Sequence, residues 1–391
     1  MILDQEKLDV KTKKRANLFN WRGQFTPEFV EYILQSTNLK PGAFIADPFT
    51  GSGTVLIESA VLSYNSVGFE INPAAYQMAK FYEYSKLNLN ERQDLLFSVA
   101  NKLEVIQSQL NGQLVASDSK DYRESYKNFL EVSVRIKEAC SEEDNSFFLN
   151  MLFASEKDKN LSIKKSLSKS FHFFEKALMN LPYSETNITV HNSDARLIGE
   201  LYENAIDLIL TSPPYINVFN YHQNHRAITE SFDYNVLNVA HSEFGSNRKN
   251  RGNRLLTVVQ YCLDMEASLN SFWKSLSPEG KIIMVVGRES NVRKTPFYNG
   301  NIVLELAQTM GGFKNITKNE RSFSNKFGKR IIEDILIFEK DSIQKPSINN
   351  AQEIAKNHIL EAKKVAPNEV QNDFEDVLKK INIVKPSPIY S

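Results

Sequence analysis

Short apolar runs that stop at turn residues alternate along this chain with longer stretches of helical period. Residues 43–46, 66–70, 188–191, 207–211 and 281–286 are runs of this kind. They are too short for helices and rich enough in Ile, Val, Leu and Phe to be buried strands. Between them the apolar positions fall at helical spacing. One helix should begin at Pro27, behind Thr26 as its N-cap, with Phe29, Ile33 and Leu34 on its buried face. Others are expected from Thr54 towards Leu62, from Ala74 to about Lys86, and over residues 195–201, 260–276 and 301–310. Strand and helix in alternation indicate an α/β fold built on βαβ units. Gly311 and Gly312 break the last of these helices, and residues 313–316 and 333–339 supply two closing strands.

Two regions depart from that rhythm. Residues 87–185 are polar and periodic, with apolar positions such as Leu95, Val99, Leu103, Phe147, Phe148 and Phe174, and almost no glycine. They read as an α-helical insertion between the second and third strands, either a target-recognition module or a packing lobe. Residues 1–17 are charged and read as frayed or as a surface arm, and residues 341–391 as a helical or loosely attached tail. The organisation expected is therefore a catalytic domain in two pieces, 18–86 and 186–340, with arm, insertion and tail added.

Composition narrows the functional classes. The chain has 391 residues, 41% of them hydrophobic, and balances 47 Lys and Arg against 47 Asp and Glu. Such neutrality gives no global attraction to nucleic acid, so any phosphate contact must come from local clusters. One is Arg248, Lys249, Arg251 and Arg254, interspersed with Asn and Gly and free of acidic residues. A second, lesser basic loop is expected over residues 287–293. Cys140 and Cys262 cannot form a disulfide framework, and six scattered histidines lack ligand spacing, so no metal is expected. Neither a signal-peptide core nor a membrane-spanning run is visible, which points to a soluble cytoplasmic protein.

The chemistry concentrates at two strand ends. The strand before Asp47 runs into Asp47-Pro-Phe-Thr-Gly-Ser-Gly-Thr54, where Gly51 and Gly53 permit tight turning and close approach of a ligand, and Thr54 starts a helix. Glu70 ends the next strand ~20 residues further on, placed to accept hydrogen bonds from ribose hydroxyls. The later run, Asp207-Leu-Ile-Leu-Thr-Ser-Pro-Pro-Tyr215, stops at Pro213 and Pro214, which cannot donate to a ladder. What leaves the sheet is a stiff loop presenting the Ser212 hydroxyl and the Pro213 carbonyl as acceptors beside the ring of Tyr215. Two acceptors next to an aromatic plate suit a planar group that bears an amine.

Together, Asp-Pro-Phe-x-Gly-Ser-Gly-Thr and Thr-Ser-Pro-Pro-Tyr resemble the signature motifs of the S-adenosylmethionine-dependent amino-methyltransferases that make N4-methylcytosine or N6-methyladenine in DNA. The resemblance covers roughly residues 18–84 and 188–340. It implies a doubly wound, Rossmann-like mixed sheet of the methyltransferase type that ends in an antiparallel strand. The implied cofactor is S-adenosyl-L-methionine. Its methionine end would lie near Phe25, Thr26 and Phe49, its ammonium on Asp47 and its adenine amine on Asp194, with Gly51, Gly53, Thr54 and Glu70 completing the site. Asp194 is equally suited to cap the short helix that follows it. The implied partner is double-stranded DNA, with a cognate restriction endonuclease as a further candidate.

On this reading Ser212, Pro213, Pro214 and Tyr215 form the catalytic loop. A base amine is a poor nucleophile because its lone pair is conjugated into the ring. Two acceptors on its N–H bonds favour rehybridisation and aim it, and positioning supplies up to roughly 7–11 kcal/mol in well-aligned cases. A base within a duplex must be flipped out to reach such a site, and Tyr215 is expected to stack on it. Serine at position 212 is similar to the cytosine-N4 branch of the family. The rival readings are an N6-adenine DNA enzyme, an RNA base-amine methyltransferase, and an inactive subunit of the same fold.

Overall fold

A computed structural model of the chain describes residues 3–108, 110, 121–158, 161–216, 221–244, 252–324 and 328–391. Its centre is a seven-stranded sheet formed by β1 (Phe44–Asp47), β2 (Asn65–Phe69), β3 (Ile188–His191), β4 (Ile206–Thr211), β5 (Leu276–Gly287), β8 (Phe313–Ser324) and β9 (Arg330–Lys340). The spatial order is β3-β2-β1-β4-β5-β9-β8. The first five strands are parallel, and β9 enters antiparallel to both β5 and β8. A separate hairpin pairs β6 (Glu289–Val292) with β7 (Thr295–Tyr298). The expected doubly wound mixed sheet is therefore present, and its order reverses between β1 and β4.

Alternation along the central strands separates two apolar layers. Ile283 and Val285 of β5, with Ile335 and Ile337 of β9, pack against Phe29 and Ile33 of the helix Pro27–Ser36. Ile282, Met284 and Val286, with Leu336 and Phe338, point to the other face and meet the helices Leu256–Ser275 and Asn299–Met310. Residues 277–280 lie inside β5, at the irregularity where the β4 pairing passes from Ile206↔Leu276 to Leu208↔Lys281.

The insertion is helical, as its period indicated: Leu89–Ser108, Asp121–Ala139, Asn145–Ser155 and Ile163–Met179. Its aromatic core of Phe147, Phe148 and Phe174 closes on Phe81 and on the helix Pro73–Lys80. Buried Arg92 joins its two ends. The guanidinium donates to the carbonyls of Leu87 (2.9 Å) and Ser85 (3.3 Å) on the entering chain, and of Leu178 (3.1 Å) and Leu181 (2.7 Å) on the leaving chain.

Three expectations change. The arm is not frayed: Leu8 is buried, and the helix Gln5–Asp9 docks on the edge strand β8, where Asp9 accepts from the Ser322 amide at 2.7 Å. An edge strand's open donors favour such cover. The tail follows the helical alternative and is not loosely held. Its helices Ala351–Val365 and Gln371–Lys380 bury Ile354, Ile359, Phe374 and Val377 in the same core as Phe272 and Leu306. Residues 287–293 are not a basic loop either. They belong largely to the β6–β7 hairpin, and Arg288 pairs with Asp334 and Glu320 while Arg293 pairs with Asp373. Local charge counts could not reveal these acidic partners, which come from distant parts of the chain.

Because the tail is core, Phe374→Ala should destabilise the whole protein by about 3–5 kcal/mol, as deletion of a buried phenyl ring does. Urea unfolding followed by circular dichroism measures this; a change below about 0.5 kcal/mol is what a loose tail would give.

Candidate active site

The cavity opens at the C-terminal ends of β1 and β4, where consecutive crossovers leave the sheet in opposite directions. Such a switch point is the ligand crevice of open α/β sheets. The glycine turn after β1 and the proline loop after β4 both line it, through Asp47, Phe49, Gly51 and Thr54 on one side and Ser212, Pro213, Pro214 and Tyr215 on the other. The two strand ends are tied directly: Thr211 Oγ1 donates to Asp47 Oδ1 at 2.6 Å, and the Phe49 amide donates to the same oxygen at 3.1 Å.

Glu70 crosses from β2 to this turn. One carboxylate oxygen accepts from the Gly51 amide at 3.0 Å and the other from the Asn72 amide at 2.8 Å. Burial pushes both Asp47 and Glu70 up to about 7, against the lowering effect of their hydrogen bonds. Charge from Asp47 and Glu243 raises Glu70 further. Glu243, held by the His222 amide at 3.0 Å and ring Nδ1 at 2.9 Å, lines the same cavity. A concave site with this many carboxylates, two of them desolvated, suits a cationic ligand and repels a phosphate.

The two glycines differ. At Gly51, with φ +52°, an added Cβ would meet the Trp21 indole at 3.2 Å on the cavity wall. Gly53, with φ +88°, turns away from the cavity. Its added Cβ would strike Ala79 Cα and the Tyr82 ring, both at 2.9 Å, so its lack of a side chain admits a neighbouring helix rather than a ligand. Thr54 lines the cavity and donates to Asn17 Oδ1 at 3.2 Å, and Asn17 Nδ2 reaches the Phe25 carbonyl at 2.8 Å. Phe25 lies in the wall. Thr26 takes the N-cap position outside it, without a side-chain capping bond. The Phe49 ring stands edge-on to Phe244, with centroids 5.1 Å apart.

Asp194 is in the wall but heavily engaged. Oδ1 accepts from the Arg196 amide (2.9 Å) and Nε (2.8 Å), and Oδ2 from Arg196 Nη2 (2.6 Å). The capping role is thus made, within a buried cluster. Arg196 also pairs with Asp264 at 3.1 Å and donates to the carbonyls of Ser387 and Pro388, which straps the C-terminal segment over this corner.

On the opposite side the loop is rigid. Gly287 lies so close to Tyr215 that an added Cβ would sit 2.7 Å from the ring. The phenol approaches Ser212 Oγ at 3.4 Å and donates to Glu333 Oε1 at 3.3 Å. The other Glu333 oxygen is bound by Arg321 through Nε at 2.7 Å and Nη2 at 2.6 Å. Burial and the negative charge of Glu333 keep the phenol well above its usual range, hence protonated.

Glu333, Trp21 and Glu243 escaped the sequence reading. For Glu333 a signal existed: β9 runs antiparallel, so its first residues lie at the ligand edge, and the register pairs Gly287 with Glu333. Nothing local marks Trp21, which stacks on Tyr221 with centroids 5.9 Å apart. Of the expected basic cluster, Arg248, Lys249 and Arg251 lie outside the described residues, and Arg254 is exposed and outside the cavity lining. Among the described residues no group of His, Cys, Asp and Glu has the arrangement of a metal site, and no helix is long and apolar enough to cross a membrane.

Comparison with known proteins finds DNA methyltransferases, and the family match spans the glycine motif. A family model for DNA methylases of the N6/N4 type matches residues 3–81. The type II methyltransferase M.MjaII of Methanocaldococcus jannaschii is 22% identical over 415 aligned positions, covering 75% of this chain and 76% of its own. The type II methyltransferase M.BsoBI of Geobacillus stearothermophilus is 22% identical, covering 54% of this chain and 52% of its own. Among solved structures, TrmN from Thermus thermophilus covers 82% of this chain and 50% of its own, at 12% identity and a TM-score of 0.35.

The raised carboxyls carry a stability prediction. A folded-state value near 7 means the folded chain keeps its proton after the unfolded chain has lost its own, so this stabilisation is complete below about 3.8 and lost as pH rises to about 7. Asp47→Asn, which keeps the acceptor oxygen, should stabilise the ligand-free protein by about 1–3 kcal/mol at pH 8 and by little at pH 4. Thermal melts of both proteins across that range test it; a constant difference would show that the buried charge is not the cause.

Proposed function

We propose that this chain is a DNA methylase of the N6/N4 type that methylates cytosine N4 in duplex DNA, flipping the base into the cavity between its two motifs. What carries the reading is that Ser212 and Tyr215 of the proline loop face the same small cavity as Asp47, Gly51 and Glu70.

S-adenosylmethionine is the cofactor of this family, and when bound it supplies a methyl group on a positively charged sulfur. The donor set fits it. Asp47, buried and without a cationic partner among its hydrogen bonds, is suited to the ammonium group; Glu70, held by two backbone amides, is suited to the ribose hydroxyls. Gly51 leaves room for close approach beneath Trp21, and Phe25 and Phe49 supply apolar wall. In this reading Ser212 Oγ and the Pro213 carbonyl take the two N–H bonds of the base amine, which turns its lone pair out of the ring. Tyr215, kept protonated and fixed by Glu333, holds Ser212 in place and borders the base. Asp194, with Arg196 already on it, serves the adenine end through the shape of its corner as much as through a free acceptor. An endonuclease that cuts the same unmethylated sequence is the partner such an enzyme would protect against.

Incubation with labelled cofactor and either plasmid DNA or RNA, followed by nucleoside analysis, tests the proposal. Label is expected in DNA as 4-methylcytosine. Label as 6-methyladenine would move the target to adenine, and label in RNA alone would overturn the DNA reading. Ser212→Ala should lower kcat about 10- to 100-fold, the worth of one well-placed hydrogen bond, and leave the cofactor Kd within twofold. Gly51→Val should do the reverse, weakening cofactor binding at least about tenfold because the new side chain collides with Trp21 at a positive φ.

A further inference from the structure

Beside the cofactor cavity lies a second, more open cleft, and the two share Trp21 and Arg22 as a common wall. We propose that this cleft receives the base pairs flanking the target and reads their edges, so that sequence choice is made jointly by the catalytic domain and the helical insertion. The proposal rests on the reading of the chain as a DNA methylase and adds to it where the recognition surface lies.

Its chemistry is that of base reading. The side chains of Asn20, Gln223 and Asn224 offer three amides, each with a donor and an acceptor on one plane, and Arg22 and Lys157 add positive charge. Asn20, Arg22, Lys157 and Gln223 are exposed. Amides match the paired donor and acceptor of adenine, Arg22 matches the two acceptors of guanine, and Lys157 supplies a phosphate contact. A surface meant for phosphates alone would be cationic throughout.

The cleft is also preorganised. Glu156, on the turn after the insertion helix Asn145–Ser155, accepts from Tyr126 Oη at 2.7 Å and contacts His225 Nδ1 at 2.5 Å, so its charge is occupied in holding the walls together. The His225 ring stacks on Phe153, with centroids 4.6 Å apart, and its backbone sits at φ +53°. The Asn224 amide donates to the Tyr221 carbonyl at 3.0 Å, closing the turn that carries Gln223 and Asn224. Tyr221 in turn stacks on Trp21, the partition between the clefts. A base turned out of a duplex into the cofactor cavity leaves its neighbours in the stack beside it, and this cleft adjoins that cavity through Trp21 and Arg22.

The experiment uses the full chain with a pool of duplexes randomised around the methylated position, and sequences the methylated products. Gln223→Ala and Asn224→Ala should each relax the preference at a flanking position by about 5- to 150-fold, with the cofactor Kd and Tm of the wild type. Lys157→Ala should weaken duplex binding in fluorescence anisotropy without relaxing preference, and Asn20→Ala is an independent amide probe on the other wall. If all four variants methylate the same sites with wild-type selectivity and affinity, the cleft is not the reader. If the wild-type protein leaves duplex DNA unlabelled, the methylase reading fails and takes the cleft with it; retained DNA labelling with unchanged selectivity overturns the cleft alone.

Discussion

The hydrogen bond from Thr211 to Asp47 ties together the ends of two parallel strands whose following segments diverge. That divergence is the topological constraint on which the site depends, since it opens a crevice that no packing of helices on the sheet can fill. Asp47 and Glu70, which border the crevice, are held by amides and a hydroxyl rather than by cations, and burial raises both. Their unmet charge is a cost to the empty protein and an attraction for a positively charged ligand. A surface carboxylate would have neither property, because water and salt would screen it.

Opposite this electrostatic wall stands a mechanical one. The proline loop is held from several directions: the Tyr215 ring lies against Gly287, the phenol on Glu333, and the Ile216 amide near Asn299, whose own side chain donates to the Gly287 carbonyl at 2.7 Å. Arg321 secures Glu333 and lies over the Phe29 ring at 3.8 Å, so the brace extends into the apolar layer beneath the sheet. Rigid placement of this kind is what a reaction needs when its difficulty is aim rather than the making of a nucleophile.

The added segments complete the site. Arg92 fastens both ends of the insertion at one point, which lets a long helical lobe sit against the catalytic domain. At the opposite corner the C-terminal segment is drawn in by buried charge: Asp264 accepts from the Ser387 amide at 2.7 Å and hydroxyl at 2.6 Å, and Arg196 bridges it to Asp194. A buried ionic cluster adds little to stability over an apolar one but is costly to break, so it is suited to fixing where a terminal strap must sit.

How far the sequence alone reaches follows from the range of the forces involved. Apolar period and turn residues act locally, so the strands over 44–47, 65–69 and 188–191, the helical insertion and the two motif loops were legible from residue order. Glycine and proline impose backbone constraints wherever they stand, which is why the motif turns could be placed at the ligand edge. What Gly53 admits, what engages Asp194, why the arm and tail are part of the body, and how Glu333 and Trp21 reach the cavity depend on contacts between residues far apart in the chain. Those pairings follow from the sheet order and from which charges are buried together. Only the folded chain decides them, because desolvation and close packing exist only once distant segments have excluded water from between them.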